Sequence, residues 1–291
     1  MLKVSIYIPC YNVEKWVARC IEGVLRQTHR VDEILIIDDG CQDRTIEIAS
    51  QYPVRTVRHE RNRGLAAARN TGFRNAGNEL VAALDADLVP EANWLENLVK
   101  CFEDEKVGGA GGRLVEMVLD SVADKWRKAH MTQDWGDSHV INPPFMFGNN
   151  SIIRKSVVQD VGWYDERFRT AGEDADLSRR IRAKGYNLIY EPGAVVRHFR
   201  HDSVGSILDA YWRYWRFGSC AYFGNITLKA VLRNLWYSHF RWHFVRVLRQ
   251  DWRYKNYELL WLDVLLLMYM PYRDLRLFLN SERTLNVIAF T

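Results

Sequence analysis

Two short acidic stretches and a histidine carry the most chemically distinctive residues. In VAALDADLVP, residues 81–90, an apolar run ends in Asp85 and Asp87 on either side of one alanine. If the run is a strand, residues two apart share a side, so both carboxylates stand at one mouth of a buried sheet. Like charges held that close repel unless something positive joins them; a metal ion, an arginine or a solvated loop each answers that condition. In GEDADLSRRIRAK, residues 172–184, Glu173 and Asp174 crowd the start of a helix, where the dipole favours acids with or without chemistry. His198, in VVRHFRHDS, carries an imidazole that ligates metal when neutral and can assist a leaving group when protonated. Asp38 and Asp39 are placed to cap a turn before Gly40.

The elements that must position these residues alternate. Apolar, β-branched runs at 4–8, 34–37, 54–57 and 80–84 are each followed by helical periodicity, at 14–25, 44–51, 65–75 and 91–102. Strand and helix in turn predict a parallel sheet covered on both faces. Pro9 is expected to stop the first strand, and Pro90 to enter the first turn of the fourth helix. Ligands collect at the carboxyl edge of such sheets, which puts residues 9–12, 38–40 and 85–87 on one rim. The first turn reads IPCYNVEKW, without GxGxxG, and no GxxxxGK[ST] loop occurs, so a dinucleotide-binding Rossmann domain and a P-loop enzyme are disfavoured. Past residue 112 the alternation loosens. Helices are expected at 121–130 and 172–184, a polar segment DWGDSHVINPPFMFGNNS between them, strands at 186–190 and 194–199, and mostly helix from 203 onward.

The 291 residues suit one large core with an appendage, divided here as 1–200 and 201–291. The net charge of +4 is uneven: residues through 196 hold 26 basic and 29 acidic side chains, and the remainder 14 and 7. Six of the eleven tryptophans also lie in that remainder, at 212, 215, 236, 242, 252 and 261. Basic and tryptophan-rich composition points to anionic lipid, an acidic partner or nucleic acid, with Arg213 and Arg216 on one helical face and Trp212 and Trp215 beside them. A dimer interface is the other use of such a surface. The stretch LLWLDVLLLMYM, followed by Pro271, is about 18 Å of helix, too short to span a bilayer core of about 30 Å. Five scattered cysteines without CxxC spacing are read as free thiols in a reducing compartment. The first residues, MLKVSIYIPCYN, lack a signal-peptide pattern, so a cytoplasmic location is expected.

The pieces VSIYIPCYNVEKWVARCIEGVLRQT, IIDDGCQDRT, NRGLAAARNTG, LDADLVP, FGNNSIIRK and GEDADLSRRI, in that order and spacing, resemble family 2 glycosyltransferases of the GT-A fold over about the first 200 residues. The resemblance implies an α/β fold with a mostly parallel nucleotide-binding sheet and a C-terminal helical extension. It implies inverting transfer from a nucleoside diphosphate sugar, UDP in most relatives, to a glycan or lipid-linked acceptor, with Mn²⁺ or Mg²⁺ as cofactor and no nucleic-acid partner. By analogy Pro9 and Tyr11 pack near the base, Asp39 accepts its imino N–H, and Arg69, flanked by Asn62 and Asn70, meets nucleotide or phosphate charge. The DAD triplet matches the DXD signature: Asp87 is then the metal ligand and Asp85 reaches ribose or a metal-bound water, with His198 beside the diphosphate or on the metal. Asp174 matches the general base, with Glu173 orienting it or the acceptor. Gly148, Asn149 and Asn150 match a loop against donor sugar and acceptor, and Trp163 and Tyr164 are candidates for an acceptor platform. Together these imply work in cell-surface polysaccharide or glycolipid synthesis, peripheral to the cytoplasmic face of the membrane.

Two other classes are weighed against this. A non-catalytic scaffold with the same fold, docking through its C-terminal helices, need not keep both acidic pairs. Nucleotidyl transfer also uses carboxylates and Mg²⁺, but the expected glycine- and basic-rich phosphate loop near the N-terminus is absent.

Overall fold

The computed structural model describes residues 2–168, 170–218, 232 and 244–281. The side chains of Arg216, Trp236 and Trp242, which entered the reading of the basic tail, and of Cys220, one of the five cysteines, lie outside the described residues. The chain divides into two units, one of residues 1–118 with 133–200, the other of 119–132 with 201–291.

In the first unit, nine strands among the described residues form one sheet. They are β1 Val4–Cys10, β2 Glu33–Asp38, β3 Arg55–Arg58, β4 Leu80–Leu84, β5 Leu88–Pro90, β6 Val107–Glu116, β7 Val140–Ile141, β8 Asn150–Arg154 and β9 Asn187–His198. Their order is β3-β2-β1-β4-β8-β6-β9-β5, with β7 on β9. The β3-β2-β1-β4 half is parallel, as is β6 on β9, while β8 runs antiparallel to both β4 and β6. The helices are α1 Val17–Leu25, α2 Thr45–Ala49, α3 Leu65–Asn75, α4 Trp94–Lys100, α6 Lys155–Asp160 and α7 Glu173–Ala183; α5, Val122–His130, belongs to the second unit.

Strand sequences explain the layering. Ile6, Ile8, Ile34, Ile36, Ala82 and Leu84 face one core with Val17, Ile21 and Val24 of α1 and Trp94, Leu95 and Leu98 of α4. The alternate residues Tyr7, Leu35, Ile37, Val81 and Ala83 face the other, with Phe73 of α3 and Leu177 and Ile181 of α7. A strand buried on both sides needs apolar residues at every position, which is why these runs are continuous.

Local expectations changed for Pro9, for Pro90 and for the two strand pieces after residue 186. Pro9 lies inside β1, opposite Ile37, and Pro90 ends β5 opposite Val196, so it does not enter a helix. The two strand pieces at 186–190 and 194–199 are one strand, whose register against β6 shifts between Gly112 and Arg113. The glycine-rich run at 108–112 is itself strand, the interior of β6.

The second unit is helical: α5 Val122–His130, α8 Val204–Gly218, α9 Phe244–Tyr254 and α10 Leu260–Ser281. Its core includes Trp126, Ile207, Leu208, Trp212, Leu262, Leu266 and Met270. The two units part between Arg200 and His201, and residues 119–132 also belong to the helical one, where Trp126 of α5 lies in its core. A capping box at Ser121 and Asp124 starts that helix. The α8 reading is corrected: Trp212 is buried, donates to Asp274 at 3.0 Å and lies under Arg273 at 4.5 Å. Pro271 does not end its helix, since α10 runs through it for 22 residues. No described helix is long and apolar enough to cross a membrane.

Candidate functional site

The DAD triplet is a turn rather than a strand face. After β4 ends at Leu84, the Leu88 N–H donates to the Asp85 carbonyl at 3.1 Å, and Asp87 sits within that turn before β5. The period-two expectation is thus replaced by a tight reversal that brings both carboxylates to the carboxyl edge. The Asp85 N–H holds the Asn149 carbonyl at 3.2 Å, tying the turn to the loop before β8. Both carboxylates are partly open, Asp85 at 28% and Asp87 at 27% side-chain exposure. Burial raises the Asp85 pKa; Arg69 opposes this and the neighbouring Asp87 adds to it. For Asp87, burial also acts upward, but the hydrogen bond from His198 prevails and the carboxyl is held below its usual range.

His198 ends β9, opposite Glu116 at the end of β6 and Leu88 on β5. Its Nδ1 lies 2.7 Å from Glu116 Oε2 and its Nε2 3.2 Å from Asp87 Oδ2. Burial disfavours the imidazolium, yet hydrogen bonds to Asp87 and Glu116 outweigh it and push the pKa up to about 9. Protonated, both ring nitrogens donate. Glu116 was missed by sequence reasoning; its only signal is an acid closing the strand VGGAGGRLVE, in which Arg113 is the one other charged residue.

The positive group joining the acids is Arg69, on α3. It is 2% exposed, with Nη1 donating to the Gly148 carbonyl at 2.6 Å, Nε to Glu173 at 3.1 Å and Nη2 to Asp85 at 3.4 Å. The expectation that Arg69 meets phosphate is revised, because its guanidinium is spent inside the protein. Glu173 is buried; desolvation and the adjacent Asp174 charge push it up to about 7 against the pull of Arg69, and its Oε2 has no partner. It braces Arg69 rather than reaching outward. Asp174 is half-buried, with Oδ2 accepting from the Gly148 N–H at 3.0 Å and Oδ1 from Ala175 at 2.7 Å. Burial raises its pKa, and the Gly148 hydrogen bond partly restrains that rise.

Backbone geometry makes this arrangement possible. Gly172 caps α7 at φ 92°, a left-handed conformation that favours glycine and swings Glu173 and Asp174 to the helix start. Gly148 lies between the acid and the arginine: a Cβ there would stand 3.1 Å from Asp174 Cβ and 3.2 Å from Arg69 Cζ.

The other expected residues separate into an open group and a tied group. Tyr11 is 44% exposed just past β1. Asp39 is buried and already accepts from His59 Nδ1 at 2.6 Å, Arg63 N–H at 2.8 Å and Gly64 N–H at 2.9 Å. Oδ2 carries only the last of these, so a base N–H has one oxygen with spare capacity. Asp38 caps the turn, accepting from Gly40 and Cys41. Asn150 is corrected from a sugar contact to a structural tie: fully buried, it accepts from Trp94 Nε1 at 2.6 Å and donates to the Arg113 carbonyl at 3.1 Å. Asn70 ties down Tyr164 and Glu166. Tyr164 is core, and Trp163 lies under Arg74 at 5.0 Å. Asn149 donates to Gln133 at 2.8 Å while its buried Oδ1 has no partner. Beside it, Trp135 stacks on Phe147 at 5.5 Å with Phe145 edge-on, an aromatic cluster hidden in a segment that reads as polar.

The family profile described as Glycosyl transferase family 2 matches residues 5–162. A pre-mycofactocin glycosyltransferase of Mycobacterium tuberculosis is 29% identical over 67% of this chain and 42% of its own length. Glycosyltransferase AglE of Haloferax volcanii is 29% identical over 69% and 66%, and a poly-beta-1,6-N-acetyl-D-glucosamine synthase of Staphylococcus aureus 26% over 70% and 52%. The chain therefore spans between 42% and 66% of the length of these curated relatives. Among solved structures, GalNAc-T7 with UDP, GalNAc and Mn²⁺ superposes with a TM-score of 0.57 at 20% identity, over 73% of this chain and 47% of that one. The mannosyltransferase PcManGT from Pyrobaculum calidifontis with GDP-Man and Mn²⁺ gives 0.55 at 18%, over 98% and 76%.

Proposed function

The chain belongs to glycosyl transferase family 2, and on that premise we propose that it is a metal-dependent, inverting transferase. It moves a sugar from a nucleoside diphosphate, UDP by preference, to an acceptor hydroxyl in cell-surface polysaccharide or glycolipid synthesis. The observation that carries this reading is the convergence of Asp85, Asp87, His198 and Asp174 at one sheet edge, from segments far apart in the chain.

The donor set fits a divalent cation: two partly open carboxylates and an imidazole nitrogen within 3.2 Å of one of them. Asp87 and Asp85 would hold Mn²⁺ or Mg²⁺, and His198 would add Nε2 once the ion displaces its proton. Such an ion supplies positive charge for a leaving diphosphate. Asp174 takes the acceptor proton: burial raises its basicity, and the Gly148 and Ala175 N–H groups fix its orientation. Arg69 acts through others, holding Asp85 and Glu173 in register as a positioning residue. Tyr11 offers its open face to the base, and Trp135 and Phe147 supply apolar ring surface suited to an acceptor sugar.

With UDP-sugars and Mn²⁺, Asp174→Asn is expected to abolish transfer while leaving UDP affinity close to wild type. Asp87→Ala is expected to weaken metal-dependent UDP binding. Full activity in Asp174→Asn would remove the base assignment, and absence of any nucleotide binding in the parent would remove the reading itself.

Peripheral association with a membrane, expected at its cytoplasmic face, draws its support from one face of α10, which bears on the contact and not on the side. Trp261, Val264, Met268, Tyr272, Leu275 and Leu279 are all exposed at spacings of three and four, so they form one apolar row. Arg276 on the same helix suits an anionic headgroup layer. Flotation with anionic liposomes tests this; a chain that stays soluble at low salt does not use the row as an anchor.

A further inference from the structure

The helical unit contains a second cluster with metal-ligand chemistry, apart from the sheet edge. His130 on α5, Asp251 on α9 and Asp263 on α10 place one ligand atom each within 4.8 Å of one another. All three side chains are buried, Asp251 at 0% and Asp263 at 2% exposure. His130 Nε2 lies 2.9 Å from Asp251 Oδ2. The outer oxygens are held by neutral donors: Trp126 Nε1 donates to Asp263 Oδ1 at 2.8 Å, and Asn256 Nδ2 to Asp251 Oδ1 at 3.1 Å. Asp263 Oδ2 is buried and has no hydrogen-bond partner.

Charge sets this cluster apart from its neighbours. In the same unit Asp202 pairs with Arg127, and Asp209 with Arg213 and Arg273. Among the described residues, Asp251 and Asp263 make no ion pair with Lys or Arg. Two buried carboxylates facing one imidazole leave net negative charge in a low-dielectric interior, which is costly unless a cation or a proton offsets it. Outer oxygens fixed by N–H groups, with inner oxygens converging on an imidazole nitrogen, is the arrangement by which a second layer of hydrogen bonds orients metal ligands.

We propose that His130, Asp251 and Asp263 form a divalent-cation site of the zinc class that pins α5, α9 and α10 together. One nitrogen and two oxygens suit Zn²⁺, with a fourth position for water. Tetrahedral coordination at about 2.0–2.1 Å places ligand atoms about 3.3 Å apart, so a small rotation of the Asp263 carboxylate completes the set. Because the three ligands come from separated stretches of chain, the ion acts as a crosslink and stabilises the helical unit by mass action.

The test uses the full chain carrying Asp87→Ala, which removes the ligand proposed at the sheet edge, after dialysis against a chelator. Titration with ZnCl₂ by calorimetry, metal content after gel filtration and the visible spectrum with Co²⁺ are compared with the same chain carrying Asp263→Asn. The expected result is that the Asp263→Asn chain, still helical by circular dichroism, binds one equivalent less and loses the zinc-dependent rise in Tm. His130→Gln, which keeps a polar partner for Asp251, is expected to behave alike and serves if Asp263→Asn does not fold. Equal zinc stoichiometry and equal Tm response in the parent and both variants overturns the proposal. So does an Asp263→Asn chain as stable as its parent when the parent takes up no zinc at this cluster, since asparagine then merely replaces a shared proton.

Discussion

Replacing Arg69 by methionine separates a positioning arginine from a phosphate-binding one. Methionine approximates the volume but removes the charge and all three hydrogen bonds, to Glu173, Gly148 and Asp85. Losing one partner of a buried ion pair costs about 3–5 kcal/mol, because the other charge stays behind. Two features place Arg69 at the low end. Asp85 is 28% exposed and regains water, and Glu173, pushed up to about 7, takes up a proton when the arginine is gone. A loss of about 3 kcal/mol corresponds to a fall in Tm of roughly 6–12 °C, at about 2–4 °C per kcal/mol. Denaturant and thermal melts of Arg69→Met, Glu173→Gln and the double variant close a cycle. The double variant is expected to recover about 2 kcal/mol of the loss, because neither buried charge then lacks its partner. Turnover should fall in Arg69→Met while UDP affinity changes little. Strict additivity of the two substitutions, or a large loss of UDP affinity with unchanged stability, would refute the positioning role.

Gly148→Ala sets a methyl against Asp174 and Arg69 at 3.1–3.2 Å, and the shift this forces is expected to lower kcat about 10²-fold with the fold retained, as read by steady-state kinetics and circular dichroism. Stability should decline as pH rises. Glu173 has its folded pKa raised from 4.5 to about 7, so the native state binds that proton more tightly and loses up to about 1.4 kcal/mol per pH unit across that window. His198, raised from 6.5 to about 9, continues the decline above neutrality by the same sign. Melts from pH 5 to 9 should flatten below pH 7 in Glu173→Gln; an unchanged slope there would contradict the assignment. Asn150→Ala leaves the Trp94 indole N–H buried without its acceptor and is expected to cost about 1–3 kcal/mol in denaturant melts, with UDP binding preserved.

Much of the first unit is legible along the chain because its physics is local. Continuous apolar runs at 34–37 and 80–84 can satisfy a strand only when both faces are covered, and β2 and β4 are buried on both sides. The limits of α3 coincide with the expected 65–75, and those of α7 differ from 172–184 by a single residue at each end. What misled was local plausibility. Pro90 suits a helix start, yet β5 pairs it with Val196, and strand registry is visible only once the partner is in place. Trp135 and Phe147 looked like parts of a polar loop because clustering depends on how that loop folds back. The tryptophans of α8 looked like a surface, but Trp212 is interior because Asp274 of α10 accepts its N–H.

By itself, the sequence determined the alternation that builds a doubly covered sheet and the placement of acids where strands end and a helix begins. Those are properties of neighbours in the chain, governed by side-chain period and helix dipole. Only the tertiary structure decided what each acid does. Asp85 and Glu173 are joined by an arginine 104 residues before the glutamate, and the His198 pKa is raised because β6 brings Glu116 and the turn brings Asp87 to its two nitrogens. Protonation and hydrogen bonding depend on burial and on charges within a few ångströms, and sequence spacing specifies neither until the sheet has set its register.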